Sequence, residues 1–443
     1  MLKLTKQYDR YPKYKDSGVE WIGEIPKGWG VVPMRSLFST KKQLVGEDAS
    51  SHKLLGLTLG GVKPRPENDK GKHPEKYDTY QEFKTDDLVF CLFDYDVTPR
   101  TIGYVQEDGM LTGAYTRLIP KQDVVSRYYY YHFLALDQTK ELLHLCTGLR
   151  SSLSKPVFWS MANQKPAYDE QEKIVAYLGE KTALIDAILE KKKKQIELLR
   201  EKRAAIINRA VTKGLPARRS LGEGGDPNAK LIDSGIEWIG KIPKGWEVKK
   251  LKYVAQVEGG YAFSSDSYTS DSVTGVLLVR ITEVKEQIAE ECRRYVPSDL
   301  WDTLKTFRVQ QGDILITLTG YVGETSMFPL QEKALLNQRA GKIQSSPNIH
   351  PKFLYYCTKP DAFRTFLSLR SKSSAQENVS NSDIGEFVLP FPPKREQQEI
   401  AEHIEEQCEK YLRAQDMLER SVALLQEFKS ALISHVVTGK VKV

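Results

Sequence analysis

The side chains best placed to do chemistry are a carboxylate–lysine group, Asp78, Glu82 and Lys84, and the pair His144-x-Cys146. Carboxylates can hold a divalent metal ion that activates water for hydrolysis. The spacing within the first group is short, however, and a charged surface turn explains it better. His and Cys are zinc ligands, but this pair stands alone on a helix-like stretch, which favours packing. Neither group predicts a catalytic or metal site.

Motifs typical of enzymes are missing from the sequence. It has no G-x-x-x-x-G-K-[ST] and no G-x-G-x-x-G, so nucleotide hydrolysis and dinucleotide redox chemistry lack support. G-x-S-x-G and H-E-x-x-H are absent too. The [ND]-P-P-aromatic motif of adenine methyltransferases does not occur, because Phe391 precedes Pro392-Pro393. We therefore predict a non-catalytic binding protein whose partners supply any catalysis.

Composition and charge set broad limits on the class of protein. The 443 residues are 40% hydrophobic and 28% charged, which is typical of a globular chain of several domains. No apolar run approaches the roughly 18 residues of a membrane helix, and the first residues lack the apolar core of a signal peptide. Five scattered cysteines without a C-x-x-C pair fit a reducing, cytoplasmic location. The net charge of +7 permits nucleic-acid binding without requiring it.

The sequence contains an internal duplication. Residues 16–29 read DSGVEWIGEIPKGW and residues 233–246 read DSGIEWIGKIPKGW, identical at 12 of 14 positions and offset by 217. Each copy has two tryptophans around a Pro-Lys-Gly turn. A second pair, EQEKI at 170–174 and EQQEI at 396–400, is offset by 226. We interpret the tryptophans as a packing clasp for each repeat; direct ligand contact is the alternative.

Each Glu-Gln pair is followed by a long segment with helical periodicity, which we predict to run to about Thr212 and about Thr438. Apolar residues recur at spacings of three and four, as in a coiled-coil seam, with interruptions at Lys192 and Arg203. Net charges of +4 over 170–213 and −5 over 396–439 favour pairing of the two helices with each other. The predicted helix-pairing seam comprises Leu178, Ile185, Leu199, Ile206, Ile404, Tyr411, Leu418, Leu425 and Leu432.

The predicted organisation alternates globular domains and helices. Its parts are a first domain at 1–167, a helix at 168–215, a Gly-, Pro- and Arg-rich linker at 216–232, a second domain at 233–393 and a second helix at 394–443. Both domains contain short β-type runs, at 88–93 and 314–318. Both then contain an aromatic helix-like stretch, at 128–133 and 353–356, which we interpret as a core helix; base stacking is the alternative.

Taken in order, these features resemble type I restriction-modification specificity subunits over essentially the whole chain. The resemblance is carried by the duplicated segments, by F-P-P-x-x-E-Q-x-x-I at 391–400 and by the strand start at 312–315. The first repeat departs from the pattern at 85–88 and 165–168, which we interpret as local packing changes. The resemblance implies an α+β fold: two repeated mixed α/β target-recognition domains, joined by two long helices paired as an antiparallel coiled coil, with pseudo-two-fold symmetry.

The resemblance also implies a function. Each recognition domain would read one half of a bipartite, asymmetric double-stranded DNA site, and the helices would set the spacer between the halves. The subunit would hold two methyltransferase subunits, which flip out an adenine and use S-adenosylmethionine. Two motor-nuclease (restriction) subunits, which use ATP and Mg, would join where present. No catalytic residue, metal or cofactor is expected in this chain itself.

DNA-contacting residues are predicted only from type and position, because Arg, Lys and polar side chains in turns near strands are the usual contacts. The candidates are Arg65, Arg100, Arg117, Arg280, Tyr321, Arg339 and Lys342. The alternative for each is an ordinary surface charge or turn residue. Two alternatives to the overall function stay open at this point: a coiled-coil interaction scaffold that reads no DNA, and the recognition part of a fused restriction-methylation enzyme.

Overall fold

A computed structural model of the protein describes residues 9–66, 74–215, 231–269, 272–285, 288–371 and 378–443. The chain divides into two compact units. Unit 1 comprises Met1–Lys193 and Glu419–Val443, and unit 2 comprises Lys194–Leu418. Both boundaries fall within long helices, Tyr168–Lys213 (α4) and Lys394–Val437 (α9). Each unit therefore contains one globular part and a portion of each long helix.

Unit 1 is a mixed α+β unit. Its shorter helices are Met34–Leu37 (α1), Ser126–Thr139 (α2) and Lys155–Ser160 (α3). Its strands are Tyr14–Asp16 (β1), Glu24–Pro26 (β2), Gly30–Pro33 (β3), Phe38–Ser39 (β4), Leu55–Thr58 (β5), Gly61–Pro64 (β6), Gln81–Phe83 (β7), Leu88–Phe90 (β8), Ile102–Tyr104 (β9), Gly109–Leu111 (β10), Thr116–Pro120 (β11) and Ala162–Lys165 (β12). Its largest sheet has the order β4-β11-β8-β9 and is antiparallel.

Unit 2 has the same type of organisation. Its shorter helices are Leu300–Thr303 (α5), Pro351–Cys357 (α6), Asp361–Ser368 (α7) and Asn381–Gly385 (α8). Its strands are Leu231–Asp233 (β13), Lys241–Pro243 (β14), Glu247–Lys250 (β15), Ala255–Gly259 (β16), Val276–Val279 (β17), Tyr295–Val296 (β18), Arg308–Val309 (β19), Ile314–Thr317 (β20), Thr325–Met327 (β21), Ala334–Leu336 (β22), Ala340–Ser345 (β23) and Val388–Phe391 (β24).

The duplication seen in the sequence is also present in the topology. The antiparallel sheet β16-β23-β20-β21 corresponds strand by strand to β4-β11-β8-β9, and β15-β24 corresponds to β3-β12. The duplicated segments form the equivalent hairpins β1-β2 and β13-β14. Unit 2 differs by a further sheet, β18-β17-β22-β19, in which β17 and β22 run parallel. A common framework thus surrounds parts that have diverged.

The aromatic stretches form core helices, as predicted. In α2, Tyr128 and Tyr129 are fully buried, and in α6 Phe353 and Leu354 are fully buried. The rings of Tyr128 and Tyr129 pack edge to face against neighbours, as Tyr129 does on Phe38 with centroids 5.5 Å apart. Base stacking by these buried rings is thereby excluded. The β-type runs are shorter than expected, because the chain leaves β8 after Phe90 and β20 after Thr317.

The long helices pack against each other in antiparallel fashion within each unit, which confirms the predicted fold class. In unit 1 the early part of α4 packs against the late part of α9: Ile185 and Leu189 share a core with Leu432 and Ile433. Asp186 and Lys429 add an ion pair of 2.6 Å across the two helices. In unit 2 the late part of α4 lies in one core with the early part of α9, where Ile207 joins other buried apolar residues.

The predicted seam faces inward along both helices. Leu178, Ile185, Ile404 and Leu432 are buried, and Leu199, Ile206, Tyr411, Leu418 and Leu425 are partly buried. Lys192 and Arg203, the interruptions in the apolar pattern, are also only partly exposed. In unit 2 the Lys202 ammonium lies 5.6 Å from the ring of Tyr411. Long cationic side chains can lie along an apolar seam by burying their methylene groups.

The structure differs from the predicted organisation at the linker. Residues 216–230 lie outside the described residues, and Leu231–Ile232 belong to strand β13 rather than to a linker. The predicted domain boundaries otherwise stay predictions, although α4 and α9 begin where the two helices were expected to begin. Among the described residues, no helix is both long and apolar enough to cross a membrane.

Candidate nucleic-acid interface

Each globular framework is fixed to its long helix by one tryptophan–glutamate hydrogen bond. In unit 1 the Trp29 indole Nε1 donates to Glu170 Oε2 at 3.0 Å, and in unit 2 Trp246 Nε1 donates to Glu396 Oε2, also at 3.0 Å. The two tryptophans are 1% and 6% exposed and the two glutamates are half-buried, so both bonds are partly shielded from water. The second tryptophan of the later copy, Trp238, donates to the backbone of Val388. The tryptophans therefore act as the predicted packing clasp.

The glutamine that follows each glutamate joins two further segments. Gln171 Oε1 accepts from the backbone N–H of Val125, which precedes α2, while its Nε2 donates to the Pro166 carbonyl at 3.0 Å. In unit 2, Gln397 accepts from His350 at 2.7 Å, just before α6, and donates to Pro392. Both glutamines are fully buried. The Glu-Gln motif thus orients the core helix of each domain, and the missing second proline of the first repeat does not alter this bond.

A glycine completes each clasp. Gly439 follows α9 at φ +70°, and a Cβ atom there would lie 2.5 Å from the Pro26 ring and 3.1 Å from Trp29. Gly214 follows α4 at φ +74°, where a Cβ would lie 3.3 Å from Trp246. Left-handed backbone and close approach both favour glycine. In each unit, the end of one long helix and the start of the other thus meet at the same tryptophan.

Two of the predicted DNA contacts are structurally equivalent and buried. Arg117 lies on β11 opposite Val89, and Lys342 lies on β23 opposite Leu315, the matching position of the duplicated sheet. Arg117 Nε is 2.6 Å from the buried carboxylate of Asp87, and Lys342 Nζ is 3.0 Å from Glu258. The two side chains are 7% and 11% exposed. Both charged groups form ion pairs within the protein, and we do not propose them as base contacts.

Three other candidates are held by the protein's own groups. Arg100 pairs with Asp137 at 3.2 Å, and Arg280 contacts Glu283, whose side chain is fully buried, at 2.7 Å. Arg65 is partly buried, and its side chain lies along Gly56. Arg100 holds the loop between β8 and β9 against α2, since the neighbouring Thr101 also donates to Asp137. These three arginines, chosen for their position near a strand, therefore support the structure of their own domain.

Tyr321 and Arg339 are the two candidates that the structure leaves exposed, and they lie in neighbouring backbone segments. Tyr321 is 89% exposed at the tip of the loop between β20 and β21, and Arg339 is exposed in the turn between β22 and β23. The backbone N–H of Leu318 donates to the Arg339 carbonyl at 3.0 Å, which places the loop and the turn side by side. An aromatic and a guanidinium at one edge suit contact with bases and phosphate.

Sequence reasoning missed Leu149, the most exposed large apolar side chain among the described residues of unit 1. Leu149 has a relative exposure of 107% at the tip of a tight turn in which Thr147 and Ser152 exchange two backbone hydrogen bonds. Its neighbour Arg150 donates from Nε to Asp94 at 2.8 Å, and the two groups form an ion pair. Gly148 gave the only sequence signal for this turn. Nothing in the residue types indicated that a leucine would point into solvent.

The possible metal and catalytic groups do not assemble. Among the described residues, no cluster of three or more His, Cys, Asp or Glu is arranged to hold a metal ion. Lys84 pairs with Glu82 and lies 3.3 Å from Asp108, as expected of a charged surface turn. His144 Nδ1 contacts the Glu141 carbonyl, and the Cys146 thiol donates to Leu142. Both groups thus have the local structural roles that the sequence favoured.

Sequence comparison finds similarity to one family of proteins. The sequence model of the type I restriction modification DNA specificity domain matches residues 243–409. The specificity subunit of the type I restriction enzyme MjaVIII from Methanocaldococcus jannaschii is 25% identical over 356 residues, which cover 77% of this chain and 76% of that protein. The EcoBI specificity subunit of Escherichia coli is 26% identical over 212 residues, covering 48% of this chain and 42% of that one.

Structural comparison supports the fold. A solved structure described as the structural basis underlying complex assembly and conformational transition of the type I R-M system contains a similar chain. The TM-score is 0.66 at 13% sequence identity, and the match covers 93% of this chain and 98% of the other. At this identity the match establishes a shared fold. It extends over both repeats, whereas the sequence model covers one.

Proposed function

We propose that the chain belongs to the type I restriction-modification specificity family and that it is the DNA sequence-specificity subunit of a type I complex. Each unit would read one half of a bipartite DNA site. The observation that carries this proposal is the duplicated clasp, in which Trp29–Glu170 and Trp246–Glu396 have the same 3.0 Å bond. Because the clasp is repeated, the first repeat has the same framework as the second repeat, which is the part matched by the specificity domain model.

The proposed role is non-catalytic. The long helices would separate the two DNA-reading units and bind the partner subunits, which we propose to be two adenine methyltransferases and, where present, two motor-nuclease subunits. S-adenosylmethionine would be bound by the methyltransferases, and ATP and Mg by the motor-nuclease. The part of the chain that the structure describes offers no metal cluster of its own. Methylation would follow flipping of the target adenine by the partner.

The two alternatives explain less of the molecule. A coiled-coil scaffold without a DNA role accounts for the paired helices but not for the match to a DNA specificity domain. The recognition part of a fused restriction-methylation enzyme is not favoured, because the relatives that the chain matches are named specificity subunits, and the match covers 76% of the MjaVIII subunit. A separate specificity subunit accounts for both observations.

Base-resolution mapping of N6-methyladenine tests the proposal. Genomic DNA would be compared from cells with this gene, without it, and with the gene restored, the methyltransferase partner being expressed in all three. We expect a bipartite motif with a methylated adenine on each strand to vanish on deletion and to return on restoration. An unchanged methylome, together with a purified complex that binds no DNA sequence preferentially, would contradict the proposal.

A further inference from the structure

A backbone hydrogen bond that supports the loop beyond β8 in unit 1 is repeated at the loop beyond β20 in unit 2. Leu153 donates to the carbonyl of Leu92 at 2.7 Å, and Val379 donates to Leu318 at 3.1 Å. Both residues of the second bond lie 226 positions after those of the first. We name the loops 91–101 and 146–154 of unit 1 the first loop pair. The loop 318–324 of unit 2 is the corresponding loop beyond β20.

The first loop pair is rigidly supported. Asp94 and Tyr95 donate backbone hydrogen bonds to the carbonyls of Arg150 and Ser151, at 2.7 and 3.3 Å. The Asp94–Arg150 ion pair closes the same contact through side chains, and Tyr95 is fully buried beneath it. Thr101 donates to the buried carboxylate of Asp137 on α2 at 2.7 Å. The loops therefore present their tips in one fixed geometry.

The loop 318–324 is supported in its own way. Thr317 donates its hydroxyl to the Tyr321 carbonyl and accepts a bond from the Glu324 backbone at 3.0 Å. Gly320 and Gly323 adopt φ of +78° and +84°, which allows the chain to reverse within a few residues. The Tyr321 ring is therefore held out at the tip by bonds that involve the backbone of the loop.

The tips carry exposed apolar side chains on ordered backbone. Leu149 is 107% exposed and Tyr321 is 89% exposed. An exposed leucine or tyrosine held by a well-bonded turn loses little conformational entropy when a partner covers it. Burying this apolar surface against the partner then contributes favourably to the free energy of binding.

The basic residues near the loops and the difference in loop length between the two units favour DNA as the partner. Residues 142–168, which include Leu149, contain three Lys or Arg and no Asp or Glu. In unit 2 the exposed Arg339 lies in the turn whose carbonyl accepts from Leu318, at the start of the loop of Tyr321. Basic side chains near both loops suit a polyanion. The framework bond is repeated in register, whereas the loop beyond it has 11 residues in unit 1 and 7 in unit 2. A constant support with different tips is expected where the two units read different base sequences.

We propose that Leu149 and Tyr321 are the apolar base-reading contacts of the first and second half-sites. Each would enter a groove of the duplex, Leu149 against a thymine methyl group or sugar edge and Tyr321 against the face or edge of a base. Arg150, fixed beside Leu149 by Asp94, would lie over the phosphate backbone. This inference rests on the proposed function and assigns its DNA contacts to particular loop tips.

The test uses the full chain assembled with its methyltransferase partner. Leu149→Ser and Tyr321→Ala would be compared with matched controls, Leu59→Ser and Tyr253→Ala, which alter side chains 69% and 70% exposed elsewhere in the same units. Binding would be measured on duplexes that carry the mapped site with each base pair of one half-site changed in turn. N6-methyladenine mapping would follow in cells.

We expect Leu149→Ser to weaken binding about 5-fold or more and to relax base preference in one half-site only. Tyr321→Ala should do the same in the other half-site, and the two controls should bind like the wild type. Wild-type preference retained at every position in both variants would overturn the inference while leaving the proposed function intact. A wild-type complex that shows no preferred site would instead contradict the proposed function itself. Matching melting curves for variant and control exclude misfolding as the cause.

Discussion

At the scale of single residues, burial decides whether a basic side chain is available to DNA. Arg117 and Arg339 are the same residue type in the same kind of domain, each close to a strand of the main sheet. Arg117 is 6% exposed and bound to Asp87, whereas Arg339 lies exposed in a turn beside Tyr321. The same substitution should therefore affect stability at one position and DNA affinity at the other.

Arg117→Ala should lower the free energy of unfolding by roughly 3–5 kcal/mol, because it leaves the Asp87 carboxylate buried without its guanidinium partner. Arg339→Ala should change stability by no more than about 0.5 kcal/mol. It should reduce the slope of log affinity against log salt by about 1 if Arg339 binds phosphate. Chemical unfolding and salt-dependent DNA binding would measure the two effects. A normal stability for Arg117→Ala would refute the structural role given to this residue.

Glu396 makes the clasp of unit 2 dependent on pH. Burial raises the pKa of its carboxyl above the ordinary 4.5, although the hydrogen bond from Trp246 opposes the shift. A raised pKa in the folded state means that folding favours the protonated form. Its contribution to stability is complete below about pH 4.5 and is lost as pH rises through the raised pKa.

Glu396→Gln should remove this pH dependence, because the amide oxygen can still accept from the indole but does not titrate. The stability of the wild type relative to this variant should fall as pH rises from below 4.5 through the raised pKa, and should then level off. Urea unfolding at a series of pH values would measure it, with Glu402→Gln, an exposed position on the same helix, as the control. A difference that stays flat or grows with pH would contradict the assignment.

At the scale of elements, the ends of the long helices matter as much as their seam. The periodicity of α4 and α9 predicted both helices and their pairing, since one inward stripe must be covered by another. The points at which they stop depend on Gly214 and Gly439, which fit against the tryptophan of a clasp. Sequence identified the Val-Thr segments at both ends but not the ring that each glycine meets.

Gly439→Ala should destabilise unit 1 by roughly 2–5 kcal/mol, from left-handed backbone strain together with overpacking against Pro26. Gly18→Ala is the matched control: its φ is +72°, but no atom lies within 4 Å of the added carbon. It should cost only about 1–2 kcal/mol of backbone strain. The midpoints of urea unfolding curves, followed by tryptophan fluorescence, would compare the two. Equal losses would show that the close approach to Pro26 contributes nothing.

At the scale of the whole molecule, the sequence repeats and the compact units do not coincide. The repeats divide near residues 216–232, whereas unit 1 consists of Met1–Lys193 and Glu419–Val443. Its core combines Ile174 and Leu178 of the first repeat with Val436 and Val437 of the second. Neither repeat alone contains all the residues that complete one unit.

Two chains made by cutting between residues 216 and 230 should therefore associate when produced together. An affinity tag on the 1–215 fragment should recover the other fragment in equal amount, and the pair should have the helical content of the intact chain. Leu432→Asp in the second fragment places a charge in the core of unit 1 and should weaken recovery strongly, whereas Leu424→Asp, at a position 56% exposed, should not. Fragments that purify separately in folded form would contradict this account of the units.

The sequence could predict features that repeat or follow a period, and it could not predict features set by a single tertiary partner. Both long helices, their pairing and the buried aromatic helices were predicted correctly from the duplication and the periodicity. At the candidate DNA contacts, residue type did not indicate which side chains are buried and which are exposed. Lys342 has a charge suited to phosphate but is held by Glu258, and Leu149 has a core-like side chain but lies in solvent. Which side of the sheet or turn each occupies depends on contacts distant in sequence.

The bond from Leu153 to Leu92 has an evolutionary consequence, because it joins backbone atoms alone and places no demand on the side chains at the tip. Mutations at Leu149 or Tyr321 can accumulate without harming the folded domain. On the proposed function, a change at either tip would therefore alter the DNA sequence that one unit reads while the fold stays intact. The repeated support beneath the tips would let one half-site change independently of the other.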